Sequence, residues 1–137
     1  MASTIKVLVA TAEREVYRGE AERLVAPGAA GELGILPKHA PLLSALIPGE
    51  LRITNGESVD EVFISGGFME VQPDMITVLA DSAERARDID EAEAQAAQRR
   101  AEELVAERKG DVDYARAEAE LSIAAARLLW LKKKKKH

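Results

Sequence analysis

The hydrophobic pattern of this chain changes period once, near residue 86. That change restricts it to a strand-built unit followed by a helical one. In the front part Ile5, Val7 and Val9 alternate with Lys6 and Leu8, and Leu24 and Val25 precede a Pro27-Gly28 turn. Leu51 and Ile53 alternate with Arg52 and Thr54 and run into Asn55-Gly56, a dipeptide that favours a two-residue hairpin turn. Val62 to Ile64 lead to Gly66-Gly67, Phe68 to Val71 end at Pro73-Asp74, and Met75 to Leu79 follow. Short strands at close spacing, punctuated by Gly and Pro, build a sandwich or barrel around one modest core.

Beyond residue 86 the apolar spacing becomes helical. Asp88, with Glu91 three residues on, reads as the cap of a helix whose stripe is Ala94, Ala97, Ala101 and Leu104. Lys109-Gly110-Asp111 stops that helix and starts another, along which Tyr114, Ala117, Leu121, Ala124, Leu128 and Leu131 repeat at alternating spacings of three and four. So short a connection makes the pair antiparallel. Alanine dominates the stripe. Each alanine buries far less than the roughly 1.5–3 kcal/mol worth of a buried leucine, although Ala, Glu, Arg and Gln all favour helix strongly. Such helices persist while their mutual packing stays weak. This fits either a permanently closed hairpin or an arm that can leave it.

Charge is unevenly spread. Residues 1–88 carry 8 basic and 14 acidic side chains, a net −6, whereas residues from Tyr114 onward carry 7 basic and 2 acidic, a net +5. The front unit should repel nucleic acid, and the last helix should seek an anionic partner. Trp130 beside Lys132, Lys133, Lys134, Lys135 and Lys136 also fits a lipid surface, or simply cations offsetting a helix dipole. No apolar run approaches the length that spans a bilayer, and no secretory signal is visible. With no cysteine and histidine only at 39 and 137, neither disulfides nor a histidine metal site is expected. No Ser-His-Asp or paired-carboxylate constellation exists, so no residue is assigned as catalytic. Gly31 and Gly34 are not followed by Lys-Ser or Lys-Thr, so their loop is not a phosphate-binding P-loop.

Four segments, in order, carry a resemblance. Gly31-Glu32-Leu33-Gly34-Ile35-Leu36-Pro37-Lys38-His39-Ala40-Pro41-Leu42, Ser65-Gly66-Gly67-Phe68-Met69-Glu70-Val71, Leu79 to Glu84 with Asp88 to Ala92, and Gly110 to Leu121 are similar to segments of the epsilon subunit of bacterial F-type ATP synthase. The resemblance covers almost the whole chain. It implies an α+β, mainly β fold: a flattened ten-stranded β-sandwich over residues 1–86, then an antiparallel two-helix hairpin over residues 87–137. It further implies a non-catalytic rotor subunit on the cytoplasmic face of the bacterial plasma membrane, peripheral as part of the F1 sector. Its partners would be the gamma subunit and the c-ring, with no nucleic acid and no direct membrane insertion.

By the same resemblance Glu32 and His39 would lie toward the c-ring. Arg116, Arg127, Leu128, Leu131 and Lys132 to Lys136 would meet acidic segments of the alpha/beta catalytic head when the helices extend and inhibit ATP hydrolysis. Some members hold ATP through an Ile/Leu-Asp-x-x-Arg-Ala motif. Ile89, Asp90 and Ala94 fit it, and Glu84 and Arg100 match associated positions, but Glu93 stands where the arginine belongs, with Arg99 as the candidate to compensate. An anion there repels phosphate. No cofactor is required, and ATP stands as a candidate regulatory ligand only.

Overall fold

The computed structural model describes residues 3–107 and 111–135. The chain separates into two compact units, one ending at Arg85 and the next beginning at Ala86.

The first unit is built from ten strands: β1 (Ile5–Ala10), β2 (Glu15–Ala21), β3 (Arg23–Gly28), β4 (Gly31–Ile35), β5 (Leu42–Leu46), β6 (Gly49–Asn55), β7 (Ser58–Ile64), β8 (Gly67–Gln72), β9 (Met75–Ala80) and β10 (Ala83–Arg85). They pair in the order β10-β7-β6-β3-β5-β8-β9-β1-β2, with β4 added to β3. β1 runs parallel to β9, and the other ladders are antiparallel. This is the ten-stranded sandwich expected from the resemblance. One core fills it, including Ile5, Val7 and Val9 from β1, Leu51 and Ile53 from β6, Met69 and Val71 from β8, and Ile76 and Val78 from β9. These residues share one phase of the strand alternation, as a half-buried sheet requires.

Turn chemistry fixes the register. β6 and β7 meet with Asn55 opposite Ser58, so the two-residue turn is Gly56-Glu57, one residue later than the sequence placed it. Gly56 takes φ 62° at the first central position, a conformation glycine adopts without steric cost. Gly67, at φ 144°, stands so close to β9 that an added Cβ would lie 2.2 Å from the carbonyl oxygen of Leu79. Gly66-Gly67 is thus a tight strand bend.

The second unit opens with a 3-10 turn, Ala86–Asp88, followed by α1 (Glu91–Glu107) and α2 (Asp111–Lys135). The expected Lys109-Gly110 stop lies outside the described residues. Asp90, not Asp88, caps α1. Its Oδ1 accepts hydrogen bonds from the amides of Ala92 at 2.9 Å and Glu93 at 3.4 Å, and its carbonyl accepts the first helical bond from Ala94. Asp88 is absorbed by the 3-10 turn. The seam pairs Ala94 with Leu128 and Leu131, with Ile89 packed beside them. Ala101 and Ala117 are buried as well, but Leu104, expected in the stripe, is exposed. The described residues of α1 bury no side chain larger than alanine, so the seam is as thin as the composition implied.

Candidate docking face and helical arm

The outward phase of the sandwich strands is apolar in one place. Register sets Ala45 opposite Phe68, Phe68 opposite Leu79, and Leu43 opposite Glu70, all pointing away from the core across β5, β8 and β9. Leu43 is 71% exposed, and Phe68 and Leu79 are each 58% exposed. Three large apolar side chains on adjacent strands form a patch of the kind that marks a contact surface. The sequence alone does not reveal it, because Glu70 and Thr77 interrupt the outward phase and the three residues become neighbours only through strand pairing.

A second feature closes the sheet on itself. β10 and β2 are its two ends. Arg85, the last residue of β10, donates from Nη2 to the carbonyl oxygen of Val16 at 3.0 Å, and its guanidinium lies 5.5 Å from the centre of the Tyr17 ring. Burial raises the Tyr17 phenol above its ordinary value, and the charge of Asp60 raises it further, while Arg85 opposes both.

Glu32 is exposed on β4. His39 lies four residues beyond that strand, in a turn where its Nδ1 donates to the carbonyl oxygen of Ala40 at 2.7 Å and its amide donates to that of Leu36 at 3.2 Å. Lys38, just before it, takes φ 65° and donates its amide to the carbonyl oxygen of Pro73.

The residues considered for nucleotide are differently occupied. Asp90 is committed to the helix cap. Ile89 packs on the helical seam. Arg99 and Arg100 are exposed on α1. Glu84 lies in β10 and lines a depression of about 260 Å³ together with Glu13, Arg14 and Asp81. Three carboxylates around one guanidinium are a poor lining for a triphosphate.

On α2, Arg116 is exposed and the Leu128 and Leu131 side chains are buried in the hairpin's own seam. Arg127 Nη2 donates to Glu93 Oε2 at 2.8 Å, joining the two helices. Lys132 and Lys133 are exposed, and Lys134 Nζ lies 5.8 Å from the centre of the Trp130 ring. The Lys135 side chain and all of Lys136 lie outside the described residues. No helix among the described residues is long and apolar enough to cross a membrane. No group of three or more His, Asp or Glu side chains among them is arranged so that it could hold a metal ion.

Two family models divide the chain where these features divide it. The β-sandwich domain of the ATP synthase delta/epsilon chain matches residues 4–86, and its long α-helix domain matches residues 87–129. The chain belongs to the ATP synthase delta/epsilon chain family. An ATP synthase epsilon chain from Thioalkalivibrio sulfidiphilus is 52% identical, covering 100% of this chain and 99% of its own length. Another, from Acidithiobacillus ferridurans, is 57% identical over 93% of this chain and 91% of its own. Among solved structures, a chain of the Euglena gracilis mitochondrial ATP synthase assembly of OSCP, F1 and c-ring matches with TM-score 0.79 and 21% identity, covering 93% of this chain and 81% of that one. A chain of the Tetrahymena thermophila central stalk and c-ring matches with TM-score 0.58 and 20% identity, covering 96% of each. At these identities the structural likeness speaks for the fold.

Proposed function

We propose that this epsilon-type subunit is a non-catalytic part of the rotor of an F-type ATP synthase, helping to couple proton translocation to ATP synthesis. The observation that carries the reading is the exposed apolar face of Leu43, Phe68 and Leu79, which gives the sandwich a dry surface on which to sit. Its partner there is the gamma subunit. Glu32, on the exposed strand β4, faces the polar loops of the c-ring, and His39 holds the shape of the adjoining turn. The assembly places the chain peripherally, in the F1 sector at the cytoplasmic face of the bacterial membrane.

The hairpin is the regulatory arm. Its thin seam is weak enough to open, and end to end its helices reach about 60 Å at 1.5 Å per residue. Opening releases Leu128, Leu131 and Arg127. Together with Arg116 and Lys132 to Lys136, they meet acidic segments of the alpha/beta catalytic head and suppress ATP hydrolysis. Two variants test the reading in the reconstituted complex. Phe68→Glu with Leu79→Glu should leave the isolated sandwich folded and abolish its assembly with the stalk. Removing residues 88–137 should preserve assembly and release hydrolysis from suppression. A truncated chain that suppresses as well as the full one refutes the arm.

A further inference from the structure

The hairpin is unequal along its length. Glu93 and Arg127 meet about 20 Å from the segment connecting the helices, given 1.5 Å of rise per residue. They therefore join the helices at the end where separation begins if the hairpin splays about its turn. The pair flanks the apolar seam: Glu93 precedes Ala94 and Arg127 precedes Leu128, and both of those apolar residues belong to the buried cluster. The two partners differ in exposure. The Arg127 side chain is 14% exposed and that of Glu93 is 52% exposed. A guanidinium packed to that degree gains more from the carboxylate beside it than a fully solvated one would. A half-solvated carboxylate is the member that a competing anion can displace. The position also explains what a glutamate does at the third residue of α1, where it could have served only as a favourable charge at the helix N-terminus.

We propose that Glu93 is an internal stand-in for the acidic surface that the open arm meets. It holds Arg127 in the closed hairpin, and opening transfers Arg127 from Glu93 to a carboxylate of the partner. The Glu93 ion pair is exchanged for one with the partner, so for this pair the charge balance changes little. The thin apolar seam and the local concentration of the acidic partner then decide which state is occupied. This rests on the arm reading above, but it makes Glu93 a competitor of the partner rather than one of its contacts.

The test uses the full chain, first alone and then in the assembled ATP synthase. In the isolated chain, Glu93→Gln should raise amide hydrogen exchange across α1 and α2 about two- to fivefold, the range expected for losing a partly exposed ion pair. Arg127→Gln should do the same. The reversed pair, Glu93→Arg with Arg127→Glu, should restore protection. In the complex the variants should part ways. Glu93→Gln strengthens suppression of ATP hydrolysis, whereas Arg127→Gln and the reversed pair weaken it. Unchanged exchange in Glu93→Gln, or no recovery of protection in the reversed pair, overturns the proposal, as does weaker suppression by Glu93→Gln. Failure of the arm reading would show separately, as suppression that survives removal of residues 88–137, with the exchange comparison still deciding the ion pair.

Discussion

Arg85 holds the carbonyl oxygen of Val16 at 3.0 Å and thereby joins the two ends of the ten-stranded sheet. β10 is three residues long and pairs with β7 alone, so its other edge depends on this side chain. Arg85→Ala removes a charge-assisted hydrogen bond and the stacking on Tyr17. It should destabilise the sandwich by about 1–3 kcal/mol. Urea unfolding measures the loss. Hydrogen exchange should place the new fraying at Ala83 to Arg85, and a stability equal to wild type would show that the sheet closes without it.

Met69 and Phe68 are sequence neighbours on opposite faces of β8. Met69 is fully buried in the core, whereas Phe68 points outward. Met69→Ala should cost about 2–5 kcal/mol by leaving a cavity. Phe68→Ala should change the isolated chain by no more than about 0.5 kcal/mol. Denaturant midpoints of the two variants check the contrast. An equal loss from both would mean that the outer face is covered within the isolated chain.

Tyr17 gives the sandwich a defined weakness in alkali. Its phenol is raised above 10.0 in the fold, chiefly by burial. The folded state therefore keeps a proton that the unfolded chain releases. The stability this contributes is complete below the ordinary phenol range and is lost as pH rises through the folded value. Tyr17→Phe should flatten the fall in stability above pH about 10. The observable is the pH dependence of the urea midpoint, with phenolate absorbance following Tyr17 directly. An identical alkaline profile in the variant would assign the loss elsewhere.

Titration of the isolated full chain with ATP should give no saturable heat. Asp90 is occupied by the helix cap, Glu93 is acidic, and the depression at Glu84 sets three carboxylates against one guanidinium. Saturable binding that disappears in Arg99→Ala or Arg100→Ala would instead make those two residues nucleotide ligands.

The parts of this molecule that the sequence states clearly are those governed by one-dimensional rules. β1 and β6 show clean alternation, and both helices show their apolar spacing. β2, β4 and β10 lack such marks. β2 is an end strand with few buried residues, β4 carries two glycines, and β10 has three residues. The helix start was ambiguous because Asp88 and Asp90 are each followed three residues later by a glutamate. The 3-10 turn resolves it by using up Asp88. Leu104 follows the stripe spacing, yet its side chain is exposed. The Glu93 to Arg127 pair was out of reach, since it depends on the register of two helices 34 residues apart in the chain. The face formed by Leu43, Phe68 and Leu79 needed the pairing of three strands before its members could be seen as neighbours.

Ala94 and Ala101 line α1 with methyl groups, and a row of methyls is nearly featureless. It offers no bulky knob that only one socket could accept. A helix bearing such a face can lie along many surfaces of similar smoothness, so contour gives it little power to choose among them. If the arm docks as proposed, its selectivity resides in α2, in the spacing of its cations and in Leu128 and Leu131, and an altered spacing there would redirect the segment even with every alanine left in place.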